Sequence, residues 1–329
     1  MNATPTAEID LDPHEPHWIT RVAFPILVGL LGLSQVSLAV AVYHHVYWMA
    51  VILVFVVSHL MHGMLIGFHE ATHGLLRENR TLNEIDGVLI GTLSLMSFSL
   101  YRAAHQMHHA YLATERDEEL WPFIHPRMNR GVRVLAALAE LTLGLLFTPF
   151  LFFRTFLRKD SPIRSRKVRR RIWLEIVGML IAWAVILLVI GYFHWWTYFL
   201  WMHLAPAWIA GNMQSVRKYV EHVGLTGATV NASTRSIVSE GWVATFMNFT
   251  LLHEPYHGVH HWRSGLPHPD LPRHAAALEP SVAEERPPFR SFTAAVWDLI
   301  INLPDPKVGA QWRGVSVPTR QELARQGAN

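Results

Sequence analysis

The chain has 329 residues, 51% of them hydrophobic and 16% charged, with a mean hydropathy of +0.19, the balance of a protein embedded in a membrane. Cysteine is absent, which excludes disulfides, zinc–thiolate sites, iron–sulfur clusters and cysteine nucleophiles within the chain. The net charge of +3 is small, and its placement along the chain says more than its sum.

Residues 1–19 form an acidic, proline-containing tail unlike a cleavable signal peptide, expected on the cytoplasmic side. Val22 to Val42 then runs 21 residues without a charge, and Val46 to Phe68 another 23. Each can cross a hydrocarbon core of about 30 Å at about 1.5 Å per residue. This first hairpin delivers His69-Glu70-Ala71-Thr72-His73 to the side from which it started. Ile85–Leu100, 16 residues with Gly87 and Gly91, is too short to cross and is expected to be an interfacial or re-entrant helix. Leu135–Leu157 is long enough, but Pro149 interrupts it and Arg154 ends it. A single crossing there would place the following basic stretch opposite His105, so an in-plane or hairpin arrangement is expected. Between Arg154 and Arg171 lie nine Lys/Arg opposed only by Asp160. Beside membrane spans, such a run marks the cytoplasmic side and attracts anionic headgroups; no nucleic-acid partner is needed to explain it. Ile172–Phe193, with only Glu175 charged, and Trp195–Met213, with no charge, make a second hairpin. Its turn, His194-Trp195-Trp196-Thr197-Tyr198, fits an interfacial aromatic belt. The chain returns at Arg217-Lys218-Tyr219-Val220-Glu221-His222 and reads as mostly soluble thereafter, with turns at Pro267–Pro272 and Pro287-Pro288. The pattern predicts an all-α integral membrane protein: a four-helix transmembrane stem with interfacial helices and a cytoplasmic histidine-rich cap. Residues 20–265 form the main domain, and 266–329 a C-terminal cytoplasmic cap and tail.

Two segments read His-x-x-His-His: His105-Gln-Met-His108-His109 and His257-Gly-Val-His260-His261. With 21 histidines in the chain, one such triple is expected by chance about 0.1 times. Positions i, i+3 and i+4 share a helix face, so each triple is expected to present three imidazoles to one point. His69 and His73 are i, i+4 partners, and His222 follows the last span on the same side. These nine imidazoles suffice for two metal ions with four or five nitrogens each, whereas one zinc needs four ligands. Glu70, Glu221 and Glu254 each adjoin a histidine, and Asp117 lies near His109. Such carboxylates orient ligating imidazoles from behind, or ligate directly. His59 and His62 fall inside the second span and are expected either to pack with a hydrogen bond or to line a substrate channel. His44, His45, His194 and His203 are assigned no role.

These residues resemble the membrane fatty acid desaturase family, which shares its histidine boxes with membrane hydroxylases and carotenoid ketolases. The resemblance rests on His69-Glu-Ala-Thr-His73, both His-x-x-His-His boxes, Glu221-His222, and the acidic Thr114-Glu115-Arg116-Asp117-Glu118 after the second box, over roughly residues 20–265. It implies a mushroom-shaped, membrane-bound non-haem di-iron oxidoreductase that uses O2 and oxidises unactivated C–H bonds of fatty acyl chains. Two departures stand out. Family members often carry Asn shortly before the third box, whereas this chain has His253-Glu254-Pro255-Tyr256. His253 is therefore a candidate extra ligand, and Asn248 a candidate for the polar role. The first box has three residues between its histidines, similar to acyl-lipid desaturases and hydroxylases.

No electron-transfer domain is apparent, so a separate ferredoxin-, rubredoxin- or cytochrome-type donor is implied, with basic residues such as Arg166–Arg171 available to dock it. The expected activity is desaturation of a fatty acyl lipid at a bacterial inner membrane. Hydroxylation, carotenoid oxygenation or alkene-forming decarboxylation on the same scaffold are alternatives, as is a non-catalytic metal-binding membrane protein.

Overall fold

The computed structural model describes residues 22–315. The acidic tail and the last fourteen residues of the expected C-terminal tail lie outside the described residues. The protein is helical, and among the described residues the one β pairing is a bridge between Ile237 and Phe289. Helices α1 (Ala23–Tyr43) and α2 (Tyr47–His73) form the first hairpin. They pack closely because Gly67 leaves room for the Phe24 ring. Gly74 ends α2 with φ of 77°, while the Leu75 N–H bonds to the Glu70 carbonyl, the wrapped C-terminus that glycine permits. That stop fixes His69 and His73 on the final turn.

The segment expected as one interfacial helix is instead two, α3 (Arg80–Leu93) and α4 (Phe98–Ala110), bent by 101°. The break is stabilised from across the fold. Glu175, the one acid of the third apolar run, accepts hydrogen bonds from Ser97 Oγ (2.7 Å), Ser99 N–H (2.8 Å) and Ser99 Oγ (2.6 Å). A carboxylate placed there satisfies the free N–H groups at the start of α4, and α4 carries the second histidine box.

Arg130–Leu157 is a single 28-residue helix, α5, rather than a hairpin. Pro149 lies inside it, and the chain kinks at Leu143 (φ −120°, ψ 28°). Asn212 repairs the kink by accepting from the Gly144 N–H (2.9 Å) and donating to the Thr142 carbonyl (3.1 Å). By length and apolarity α5 could cross a membrane. Its ends, however, are held by one neighbourhood. Arg130 and Arg133 at its start donate to the Pro304 and Pro306 carbonyls, while Thr155 and Arg158 at its other end hold Glu118. Val308 in turn bonds to Phe123, five residues past Glu118. Both ends of α5 are therefore tied to loops of the histidine-bearing cap.

Helix α6 (Arg166–Tyr192) is the third long span. The expected fourth is built from α7 (Trp196–Phe199), a π-helical turn (Leu200–Leu204) and α8 (Ala205–His222), with helical backbone at both junctions. Short helices α9 (Val230–Ser233), α10 (Trp242–Thr250), α11 (His257–Trp262) and α12 (Phe292–Asn302) complete the cap. Residues beyond 265 are integral to it: Gly309 bonds to Leu225, and Trp312 Nε1 donates to the Phe123 carbonyl.

Helices α5 and α8 meet at Gly144 and Gly211, where a Cβ on Gly144 would lie 2.5 Å from the Gly211 carbonyl oxygen and from Ser215 Oγ. Buried beside this crossing, Lys218 pairs with Glu140, which also accepts from Tyr219 Oη at 3.1 Å. Gly144→Ala is expected to destabilise the fold by about 1–3 kcal/mol through overpacking. Gly178→Ala, on an open face of α6, is expected to be neutral or stabilising by up to about 1 kcal/mol. Thermal unfolding of the two variants in detergent distinguishes these outcomes.

Candidate metal centre

The nine histidines converge, but each His-x-x-His-His box splits between two groups instead of serving one. His69, His73, His105, His109 and His260 form the first group, each offering one ring nitrogen within 4.8 Å of all the others. His108, His222 and His261 gather in the same way, with His257 joined to them through His222 (Nε2–Nε2 2.9 Å) and His261 (3.0 Å). The helix explains the split. At about 100° per residue, i and i+4 stand about 40° apart, whereas i+3 and i+4 stand about 100° apart. The i, i+4 pair of box two, His105 and His109, faces the first group, and His108 faces the second. Box three reverses this: His257 and His261 face the second group and His260 the first. His69 and His73 complete the first, and His222 the second.

Four of the nine rings are oriented by a hydrogen bond to their other nitrogen. His105 Nδ1 lies 2.9 Å from Glu119 Oε2, His108 Nδ1 2.8 Å from Asp117 Oδ2, and His257 Nδ1 3.0 Å from Glu254 Oε1. His222 Nδ1 donates to the Ser233 carbonyl at 3.1 Å. With Nδ1 carrying the proton, Nε2 is left as a lone pair. Yet successive Nε2 atoms face one another: His73–His105 at 3.2 Å, His105–His109 at 3.0 Å, His109–His260 at 3.1 Å. Lone pairs so placed repel unless a cation lies among them. Two imidazoles bound side by side to one ion at about 2.1 Å stand about 3.0 Å apart, so the observed spacing fits a metal ion.

The third-box imidazoles are kept in the form that binds metal. Burial pushes His257 down to about 4 despite Glu254 beside it. Burial and neighbouring imidazoles hold His260 and His261 well below the usual histidine range. Burial alone would raise Glu254, but His69, Arg217 and the His257 hydrogen bond keep it well below the carboxylate range. Neutral third-box imidazoles backed by an ionised Glu254 are the states that metal coordination requires.

The four carboxylates singled out in the sequence all lie at this centre. Asp117 holds His108, and Glu254 lies behind both His257 and His69, 3.4 Å from His69 Nδ1. Glu221 is 3.6 Å from His257 Nδ1, and Glu70 is 3.8 Å from His69 Nδ1. His253 turns elsewhere, its ring stacked on His268 with the two Nδ1 atoms 3.3 Å apart. Asn248 Oδ1 is buried without a hydrogen-bond partner. Of the two histidines of α2, His59 bonds to Thr250 Oγ1 at 2.8 Å, and His62 lines a cavity with Arg217, Glu221 and Glu254.

Sequence reasoning missed three participants. Glu119 sits two residues beyond Asp117, so the acidic run held a second partner in plain view. Arg217, buried, joins Glu221 (2.8 Å) and Glu254, and only its i, i+4 spacing to Glu221 hinted at this. Tyr101 stacks on His105 with ring centres 5.3 Å apart, one turn before the box on the same face.

Asp117→Asn is expected to weaken metal affinity at the four-histidine group by about 10–100-fold, and at the five-histidine group by less. Competition with a chelator, read as bound metal per chain, measures both groups.

The family model for fatty acid desaturases matches residues 45–293, about three quarters of the chain and all of the histidines above. Comparison with curated proteins finds no match.

Proposed function

The chain belongs to the fatty acid desaturase family, and from that premise we propose that it is an O2-dependent desaturase that binds two iron ions and introduces a double bond into a membrane lipid's acyl chain. The observation that carries this reading is the division of nine imidazoles, seven of them buried, into groups of five and four. One structural zinc would need four ligands and a closed site. Bound there, two irons supply what no side chain can, the reduction of O2 and the breaking of an unactivated C–H bond.

The chain's own residues set the conditions for that chemistry. Seven of the nine imidazoles are under 5% exposed, so bulk water is kept from the centre. Asp117, Glu119 and Glu254 lock ring orientation. Below the first group lies a cavity of about 230 Å³ walled by Leu31, Met64, Phe68, Leu93 and Pro149, with Tyr101 at its edge. Because Tyr101 also stacks on His105, an alkyl chain in this cavity comes within one ring of the first group. An apolar slot of this kind supports an acyl substrate.

Removing two hydrogens from the chain and reducing O2 to two waters takes two further electrons and two protons. The electrons come from a separate ferredoxin-, rubredoxin- or cytochrome-type protein, with the histidine boxes on the cytoplasmic side of a bacterial inner membrane. Two of the basic residues proposed for docking are engaged within the protein: Arg171 pairs with Glu84 and Glu175, and Arg169 donates to the Phe156 and Ile163 carbonyls. Arg164, Arg166, Lys167 and Arg170 remain exposed for an acidic donor.

Two measurements test this reading. Lipids from host cells expressing the wild type with a ferredoxin/reductase pair are expected to contain a species lighter by two hydrogens, absent with His109→Ala. A product carrying an added oxygen, or a shortened terminal alkene, overturns the assignment to desaturation. Charge reversal at Arg166, Lys167 and Arg170 is expected to slow donor-supported turnover while bound iron stays constant; unchanged turnover removes this surface as the docking site.

A further inference from the structure

The stretch between the last long helix and the third histidine box reads as part of a soluble cap, but its contacts place it elsewhere. Residues 240–252 leave the cap, and the chain returns beside its point of departure, where the Ile237 N–H donates to the Pro255 carbonyl at 2.8 Å. Between those ends α10 packs against the flank of α2. The Phe246 ring stacks on His59 with centres 5.5 Å apart and planes 20° apart, and Thr250 Oγ1 bonds to His59. The Thr250 carbonyl occupies space that only Gly63 leaves open, since a Cβ there would lie 2.5 Å away.

The depth of that contact follows from α1. Its 21 residues span about 31 Å, just enough for the hydrocarbon core, so both its ends mark the core's edges. The histidine-side end packs with Phe24 against Gly67 and Leu27 against Gly63. His59 lies eight residues further along α2 than Gly67, about 12 Å below that edge. The face of α10 turned away from the protein is apolar: Trp242 is 83% exposed, and Val243 and Phe246 each 51%. It continues the bare apolar surface of α2 at Ile52, Phe55 and Val56. At the start of the excursion stand the exposed Glu240 and then Trp242, a charge and an indole in the order that a headgroup boundary favours.

We propose that residues 240–252 form a membrane-dipping hairpin. It enters the headgroup layer at Glu240–Trp242, sets the Val243/Phe246 face against lipid acyl chains, and is back in the cap at His253–Glu254, just before the third histidine box. A short helix is tolerated here because its deep C-terminal end is satisfied by protein, the Leu252 N–H bonding to the Phe249 carbonyl and the His253 N–H to the Asn248 carbonyl, while its N-terminal end at Gly241 lies in the hydrated headgroup layer. The partner of this surface is the acyl-chain region of the bilayer.

The absence of native cysteine makes the test direct. Single cysteines at Glu240, Val243 and Phe246 would be spin-labelled in the full-length protein in phosphatidylcholine/phosphatidylglycerol vesicles. Collision rates with O2, which concentrates in hydrocarbon, and with a water-soluble nickel chelate would then be measured. Leu188→Cys on the bare face of α6 and Arg286→Cys on the cap are the lipid and water references, 73% and 68% exposed. The labels at 243 and 246 are expected to favour O2 over nickel as Leu188→Cys does, and the label at 240 to favour nickel. If 243 and 246 match Arg286→Cys, the hairpin lies in water and the proposal fails. Low rates with both agents would show protein covering this face, and equally overturn it. Val243 is 51% exposed and has no ring stack to lose, so its variant keeps the test open should loss of the Phe246–His59 stack disturb folding.

Discussion

Nine imidazoles with their lone pairs turned toward one another, in a dry interior, are the constraint from which the rest of the cap follows. A ring whose lone pair faces inward is best held by a group that accepts its other proton from behind, and four of the nine hydrogen-bond one there. That demand accounts for Asp117, Glu119 and Glu254 and for the Ser233 carbonyl. Buried carboxylates need partners in turn. Arg217 reaches Glu221 and Glu254. The charges thus form nested layers, imidazole, then carboxylate, then guanidinium. Removing a member of an outer layer is felt in the innermost one, because a buried charge left unpaired is costly.

The stem supplies the rigidity that this arrangement requires. The histidines stand at helix ends or on short helices, and each of those ends is fixed by a distant contact. Glu175 on α6 holds the start of α4, Gly74 stops α2 one residue after His73, and Asn212 on α8 holds the kink of α5. An imidazole a few tenths of an ångström out of place would no longer match its neighbours. Anchoring box-bearing elements to helices of about 20–30 residues is a physical solution to that tolerance.

Much of this was legible from spacing. Three of the long apolar runs appear as helices within a few residues of the expected bounds, since charge-free stretches of that length have little choice in a bilayer. The nine histidines were legible because His-x-x-His-His is rare. What stayed hidden depends on partners distant in the chain. The fourth expected span is interrupted by a π turn at Leu200–Leu204 that hydropathy does not register. Pro149 suggested a break, but α8 packs against α5 and carries the Asn212 that repairs the bend. Residues 85–100 were read as one helix because Ser97 and Ser99 look unremarkable until Glu175 arrives from 76 residues away. The splitting of each box was latent in helical angles, yet which group each ring joins depends on how the two box helices approach one another. His253, attractive by its position before the third box, is diverted by His268.

Glu254 stands behind His69 of one group and His257 of the other, and it is the only carboxylate among the described ion pairs to do so. A single side chain therefore sets the aim of two rings belonging to different halves of the centre. When an ion draws His257 into line, Glu254 is drawn with it, and the entropy of ordering His69 has already been spent. With metal bound, occupancy of one half would raise the affinity of the other, a reciprocal coupling that needs no movement of the backbone. Half-filled molecules would then be scarce.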